Sequence, residues 1–151
     1  MSKHSQKAKQ LFLNGYNCSQ AVLLAFSDVT GLDEKTALML ASSFGGGMGR
    51  LREVCGAVSG MFMVAGLLYG SCDVNDRSAK AEHYALIQQM AAKFKERNGS
   101  IICRELLGGE GKSDSHIPSE RNSGYYKKRP CADLCADAAE ILDEIIAQKK
   151  N

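Results

Sequence analysis

Cysteine is the residue type in this chain with the most chemistry to offer, and its placing is uneven. Cys18, Cys55, Cys103 and Cys131 stand alone in four separate segments, and Cys55 opens the string Cys55-Gly56-Ala57-Val58-Ser59-Gly60. Thiols drawn from separate segments can be gathered into one sulfur site, where thiolates either ligate a thiophilic metal or exchange with a disulfide. The competing reading is that each is a small buried apolar residue with no chemistry. Cys72 and Cys135 complete the set. Cys72 falls in a loop, and Cys135 lies one helical turn after Cys131, where core packing accounts for it.

Spacing narrows the chemistry. No CxxC pair occurs, so ferredoxin and zinc-ribbon ligand spacings are absent, and without CxxCH there is no covalent c-type haem site. A sulfur site here must be assembled by tertiary folding. Other constellations fail. No GxSxG elbow serves a serine hydrolase, and the run Gly45-Gly46-Gly47-Met48-Gly49 lacks the Gly-Lys-Ser/Thr of a phosphate-binding loop. Surface positions are expected for His4 and His116, and a structural role for His83. The methionines read as core filling rather than copper ligands. Arg50, Arg52 and Arg104 stand close in sequence to Cys55 and Cys103, where a guanidinium can offset thiolate charge, although solvent exposure is the ordinary fate of each. Tyr125 to Arg129 forms a small basic, aromatic patch suited to docking a partner.

The elements that must position these residues are helical. The chain has two prolines, no period-2 strand pattern and many Ala, Leu and Met. The pattern predicts helices over about Lys3 to Asn14, stopped by Gly15, and Cys18 to Val29, capped by Asn17. A third, capped by Asp33, covers about Glu34 to Phe44, and an apolar one covers Leu51 to Tyr69. A long amphipathic helix from about Arg77 to Arg97 carries His83/Tyr84, Ile87, Met90/Ala91 and Phe94 on one side. Ser100 starts a short helix with Cys103 to Leu107, and the last helix runs from about Pro130 to Gln148 with Cys131, Cys135, Ala138, Leu142 and Ile145 facing inward. Gly108 to Arg129, about 22 residues without period, is too long for an ordinary connector and reads as either disordered or a functional cover over something. The fold expected is all-α, a single domain over 1–151 of five or six helices, bundle-like or orthogonal.

On this map Cys18, Cys103 and Cys131 fall in first helical turns, and Cys55 in the first or second turn of the apolar helix. Unpaired N–H groups and the positive dipole end there favour thiolate over thiol. Gly56 and Gly60, and again Gly66 and Gly70, leave one side of the apolar helix bare for close approach by another helix or a cluster.

These residues resemble the C_GCAxxG_C_C family of small bacterial and archaeal proteins named for redox activity. The match runs through Gly15-Tyr16-Asn17-Cys18, then Phe44 to Arg50 leading into Cys55-Gly56-Ala57-Val58-Ser59-Gly60, then Cys103-Arg104-Glu105-Leu106-Leu107-Gly108, and ends at Cys131 with the terminal helix. The resemblance implies that Cys18, Cys55, Cys103 and Cys131 are the site residues, and that Cys72 and Cys135 are not among the family's four.

Three functions follow. In the leading one, the four thiolates bind an iron–sulfur cluster or another thiophilic metal for electron transfer. In the second, a metal-free protein cycles two of the four between dithiol and disulfide as redox thiols. The third is a helical interaction module whose thiols hold zinc or simply pack. An oxidoreductase or electron-transfer protein with an unidentified redox partner protein is therefore expected. With 151 residues and a net charge of +2 from intermixed charges, no basic stripe points to nucleic acid. The longest apolar run is interrupted by Ser59 and glycines and is too short for a membrane span. The polar N-terminal residues and few cysteines relative to a secreted scaffold give the expectation of a cytoplasmic, reducing setting. A homodimer is compatible with the pattern, although no heptad seam demands one.

Overall fold

The structure, a computed structural model, describes residues 1–108 and 115–150. The expected cover from Gly108 to Arg129 therefore lies partly outside the described residues. In order, the elements are α1 (Lys3–Leu13), α2 (Cys18–Ala25), α3 (Ser27–Thr30), α4 (Glu34–Ala41), a 3-10 turn (Ser42–Phe44), and α5 (Gly45–Met48), a single glycine-made turn. They continue with α6 (Gly56–Tyr69), α7 (Arg77–Asn98), α8 (Cys103–Leu106), α9 (Ser123–Lys128) and α10 (Cys131–Lys150). The fold is all-α. It has more helices than five or six because several are one-turn pieces at the bends.

Side chains set the starts of the helices. Ser2 caps α1, and Asn17 and Gln20 close a capping box on α2, while Asp33 and Asp76 cap α4 and α7. Gly31 and Gly99, both left-handed, end α3 and α7. The core is a layered bundle. α1 packs along α10, α2 lies against α6 and α1, and α7 crosses α10 and α6. Phe26, Leu23, Met61, Met90, Phe94, Ile141, Leu142 and Ile145 are buried at its centre. On the long helix the buried stripe is Leu86, Met90 and Phe94, while Tyr84 points to solvent.

Three boundaries differ from the pattern. α2 ends at Ala25, because Phe26 leaves helical geometry to bury its ring, and α3 resumes for one turn. α6 begins at Gly56 rather than Leu51. Met48, Arg50 and Arg52 all have positive φ (67°, 70° and 61°), so the apolar run entering the helix is not helical. It folds back on the glycine turn instead, with Arg52 and Glu53 N–H donating to the Gly46 and Gly47 carbonyls. Val54 then pairs antiparallel with Ile102 in an isolated bridge. Finally, Ser123–Lys128 is helical inside the segment expected to be irregular, capped by Asn122.

His4 also departs from expectation. It is largely shielded, stacks on Phe26 with centroids 4.1 Å apart, and places its two ring nitrogens 2.8 Å from Asp143 and 2.9 Å from Asp28. The residue pins α1 to α3 and α10.

Candidate redox site

All four solitary cysteines line one cavity of about 60 Å³, room for a few water-sized groups. Each arrives at a helix beginning. Cys18 and Cys131 are the first residues of α2 and α10, and Cys103 is the first of α8. Cys55 is the residue before α6, at the capping position rather than within a turn.

Local structure explains why the four converge. Asn17 donates to the Ser42 carbonyl (3.3 Å), Ser19 Oγ to the Ala41 carbonyl (2.7 Å) and Gln20 to the Leu38 carbonyl (3.0 Å), which ties the start of α2 to the end of α4. The Val54–Ile102 bridge joins the segments before α6 and α8. Around it, Cys55 N–H donates to Ile101 O (2.8 Å) and Cys103 N–H to Glu53 O (2.6 Å), so these two cysteines are fixed on paired backbones. Glycine makes the approach close. A Cβ on Gly56 would stand 2.2 Å from Cys18 Sγ, and one on Gly47 would stand 2.6 Å from Cys103 Cβ. Gly60 lets α2 lie on α6 in the same way, its absent Cβ being 2.8 Å from Ser19 O. Gly66 faces open space, so only the first half of the bare glycine side is used.

Cys55 and Cys103 are buried, and Cys18 and Cys131 are half-buried. Burial pushes the Cys18, Cys55 and Cys131 thiols up rather than down. Cys18 is raised chiefly by loss of water and also by Cys103, although N–H groups of Gly46 and Ser19 oppose this. Cys55 is pushed well above the ordinary thiol value by burial and then by Cys18. Ala57 and Val58 N–H pull it back, but no complete side-chain cap bond forms on α6. Cys131 is pushed up to about 12 by burial, then by Cys18 and Cys103, with Arg129 and Arg52 opposing. The helix-start effect expected from the sequence is therefore present and outweighed. Desolvation disfavours the anion, and each neighbouring sulfur adds repulsion.

Cationic groups enclose the sulfurs. Arg52 is 5% exposed, and its Nη1 lies 3.6 Å from Cys103 Sγ. Arg104 instead braces the ribbon, donating to Arg52 O (3.2 Å) and pairing with Glu53 (3.1 Å). Arg121 and Arg129 line the cavity from the α9 side. Arg121 sits 4.3 Å over the Phe12 ring and donates to the carbonyls of Phe12 and Tyr16, and Arg129 lies 4.8 Å over Tyr125. The Tyr125 to Arg129 patch thus supplies two residues that cover the cavity. Spacing gave no notice of Arg121, whose partners lie about a hundred residues away in the chain.

Cys135 is fully buried behind the cavity, its Sγ 3.7 Å from Cys18 O, and it does not line the cavity. Burial and its sulfur neighbours hold its thiol well above the ordinary value. Cys72 is exposed, apart from the other five, in a cleft beside His83. His116 stands near the site's outer mouth. Among the described residues no group of three or more His, Cys, Asp and Glu side chains converges tightly enough for a single metal ion, and no helix is long and apolar enough to cross a membrane.

Neither a curated protein nor a solved structure matches the chain. A family model described as "Putative redox-active protein (C_GCAxxG_C_C)" matches residues 16–145, a stretch that begins before Cys18, ends beyond Cys135 and includes every residue of the sulfur cavity except Phe12. With its four solitary thiols and the Cys55-Gly56-Ala57 turn at one cavity, the chain belongs to the C_GCAxxG_C_C family of redox-active proteins.

Proposed function

We propose that the protein carries electrons through an iron–sulfur cluster, or another polynuclear thiophilic centre, held by Cys18, Cys55, Cys103 and Cys131. One observation carries this reading: four thiols from four helix beginnings line one small cavity that also has guanidinium groups in its wall. Cys18, Cys55 and Cys131 each feel the charge of at least one other sulfur of the set. The donor set fits, since four thiolates are the common ligand set of such clusters. A single tetrahedral ion fits less well. It needs its sulfurs about 2.3 Å from one centre, and no described group converges so closely. A cluster spreads its thiolates over several metal atoms and accepts wider separations.

When bound, such a centre supplies one-electron transfer. The chain's own residues supply the sulfur donors, exclude water and offset charge through Arg52, Arg121 and Arg129, the factors that set a potential. The raised thiols are consistent with this, because a bound cation deprotonates the thiols it takes.

The test is iron, acid-labile sulfide and zinc content, with visible and electron-spin spectra, on protein purified or reconstituted without oxygen. Stoichiometric iron and sulfide with a reversible one-electron step is the expected result. It should be lost when any of the four cysteines becomes Ser, and kept in Cys72→Ser. Colourless, metal-free protein with a reversible two-electron disulfide overturns it, as does zinc alone.

A further inference from the structure

The sulfur cavity opens into a second, larger cleft of about 290 Å³. The two share Asn17, Gly46, Arg52, Arg121, Tyr125 and Arg129. Arg50 and His116 join the outer walls, as do the hydroxyl-bearing residues Ser42 and Ser119. Four arginines thus face one cleft, and no carboxylate stands among its described lining residues.

The way two of these arginines are held matters most. Arg121 is fixed by backbone carbonyls and the Phe12 ring, and Arg129 by the Tyr125 ring. Carbonyls and rings orient a guanidinium without cancelling its charge. Arg50 is steadied in part by Ser115 O (2.8 Å) and Ser119 Oγ (3.0 Å). Planar forks held in this way match oxyanions, which accept two parallel N–H bonds.

We propose that this cleft binds a small oxyanion, or a small molecule bearing one, seated against the mouth of the sulfur cavity. Its meaning as a substrate or effector site rests on the redox reading above, but the binding itself does not. Occupancy closes the shared wall of Arg52, Arg121 and Arg129, so an anion bound there shields the sulfurs.

The test uses the full, reduced chain and inorganic phosphate as the probe, followed by calorimetry against potassium chloride at matched ionic strength. Sulfate and acetate arms distinguish tetrahedral from carboxylate ligands. Saturable one-site binding is expected, weakened about tenfold or more in Arg129→Gln and in Arg121→Gln, the loss of one charged hydrogen-bond partner. Cys72→Ser, which lines neither cavity, should bind phosphate as the wild type does. Phosphate should also slow iodoacetamide labelling of the cavity thiols in the wild type, so the test stands even if an arginine variant fails to fold. No saturation beyond the chloride control, unchanged affinity in both folded arginine variants, or undiminished labelling each overturns the inference. Iron and sulfide are measured on the same samples. Iron without phosphate binding overturns this inference alone, and phosphate binding without iron overturns only the redox reading.

Discussion

Replacing Gly56 by alanine tests whether the cavity depends on close approach. Gly56 begins α6 and has no positive φ, so alanine is conformationally acceptable there, and helix propensity alone favours it by about 1 kcal/mol. Space is the obstacle. The new methyl would lie 2.2 Å from Cys18 Sγ, 2.9 Å from Phe44 O and 3.2 Å from Ser19 N. Unstrained carbon contacts lie at about 3.5–4 Å, so the sulfur overlap exceeds about 1 Å. Cys18 escapes most cheaply by turning its sulfur to another rotamer, away from the cavity, while the two backbone contacts push the 3-10 turn and α2 slightly away from α6. Overpacking of this kind costs about 1–3 kcal/mol, so the net destabilisation should be about 0–2 kcal/mol after the propensity gain. The site should suffer more than the fold, with affinity for the proposed metal centre down about 10- to 100-fold and Cys18 labelled faster by iodoacetamide. Gly60→Ala is the matched control, because its methyl would meet Ser19 O at 2.8 Å and Val22 Cβ at 3.0 Å but no sulfur. It should lose similar stability by urea denaturation yet keep the centre. Gly56→Ala with wild-type iron content and labelling rate, or Gly60→Ala losing the centre equally, refutes the reasoning.

The metal-free form should lose stability in alkali. The folded Cys18, Cys55, Cys131 and Cys135 thiols hold their protons to higher pH than the unfolded chain does, so stability is flat below about pH 9 and then falls by about 1.4 kcal/mol per pH unit for each such group. For Cys131, raised from 9.0 to about 12, the full loss is about 4 kcal/mol by the end of that window; urea midpoints across it should fall less steeply in Cys131→Ser, and an equal slope counts against the burial argument. Arg52→Met removes a guanidinium that favours the Cys131 anion, so the ultraviolet thiolate titration should move further alkaline, and no movement contradicts that role. Asn17→Ala breaks the capping box and the bond to Ser42 O. It should cost about 1–2 kcal/mol by denaturant unfolding, whereas Asn17→Asp should keep the cap and lose only the Ser42 contact.

Local signals were legible and distant pairings were not. Asn17 and Asp33 could be read as caps because each acts on its own neighbours in the chain. Leu51 to Val54 could not be distinguished from the start of α6. Its extended path depends on left-handed Arg50 and Arg52 and on a partner strand at Ile102, far along the sequence. Phe26 breaks α2 for a place in the core, a tertiary override of propensity. The four solitary thiols were visible from spacing and motif, and they do line one cavity. Their proton affinities were not visible, because helix position is local while desolvation and sulfur–sulfur repulsion exist only after assembly. Arg121, pinned on Phe12 and Tyr16, gave no local sign of its place in the wall.

The backbone bridge between Val54 and Ile102 has a mechanical consequence. Cys55 and Cys103 hang from adjoining links of one stiff hinge plate, so a change of oxidation state there finds little slack to take up. Cys18 is clamped by the α2 capping network as well, so these three thiols stand as one fixed frame.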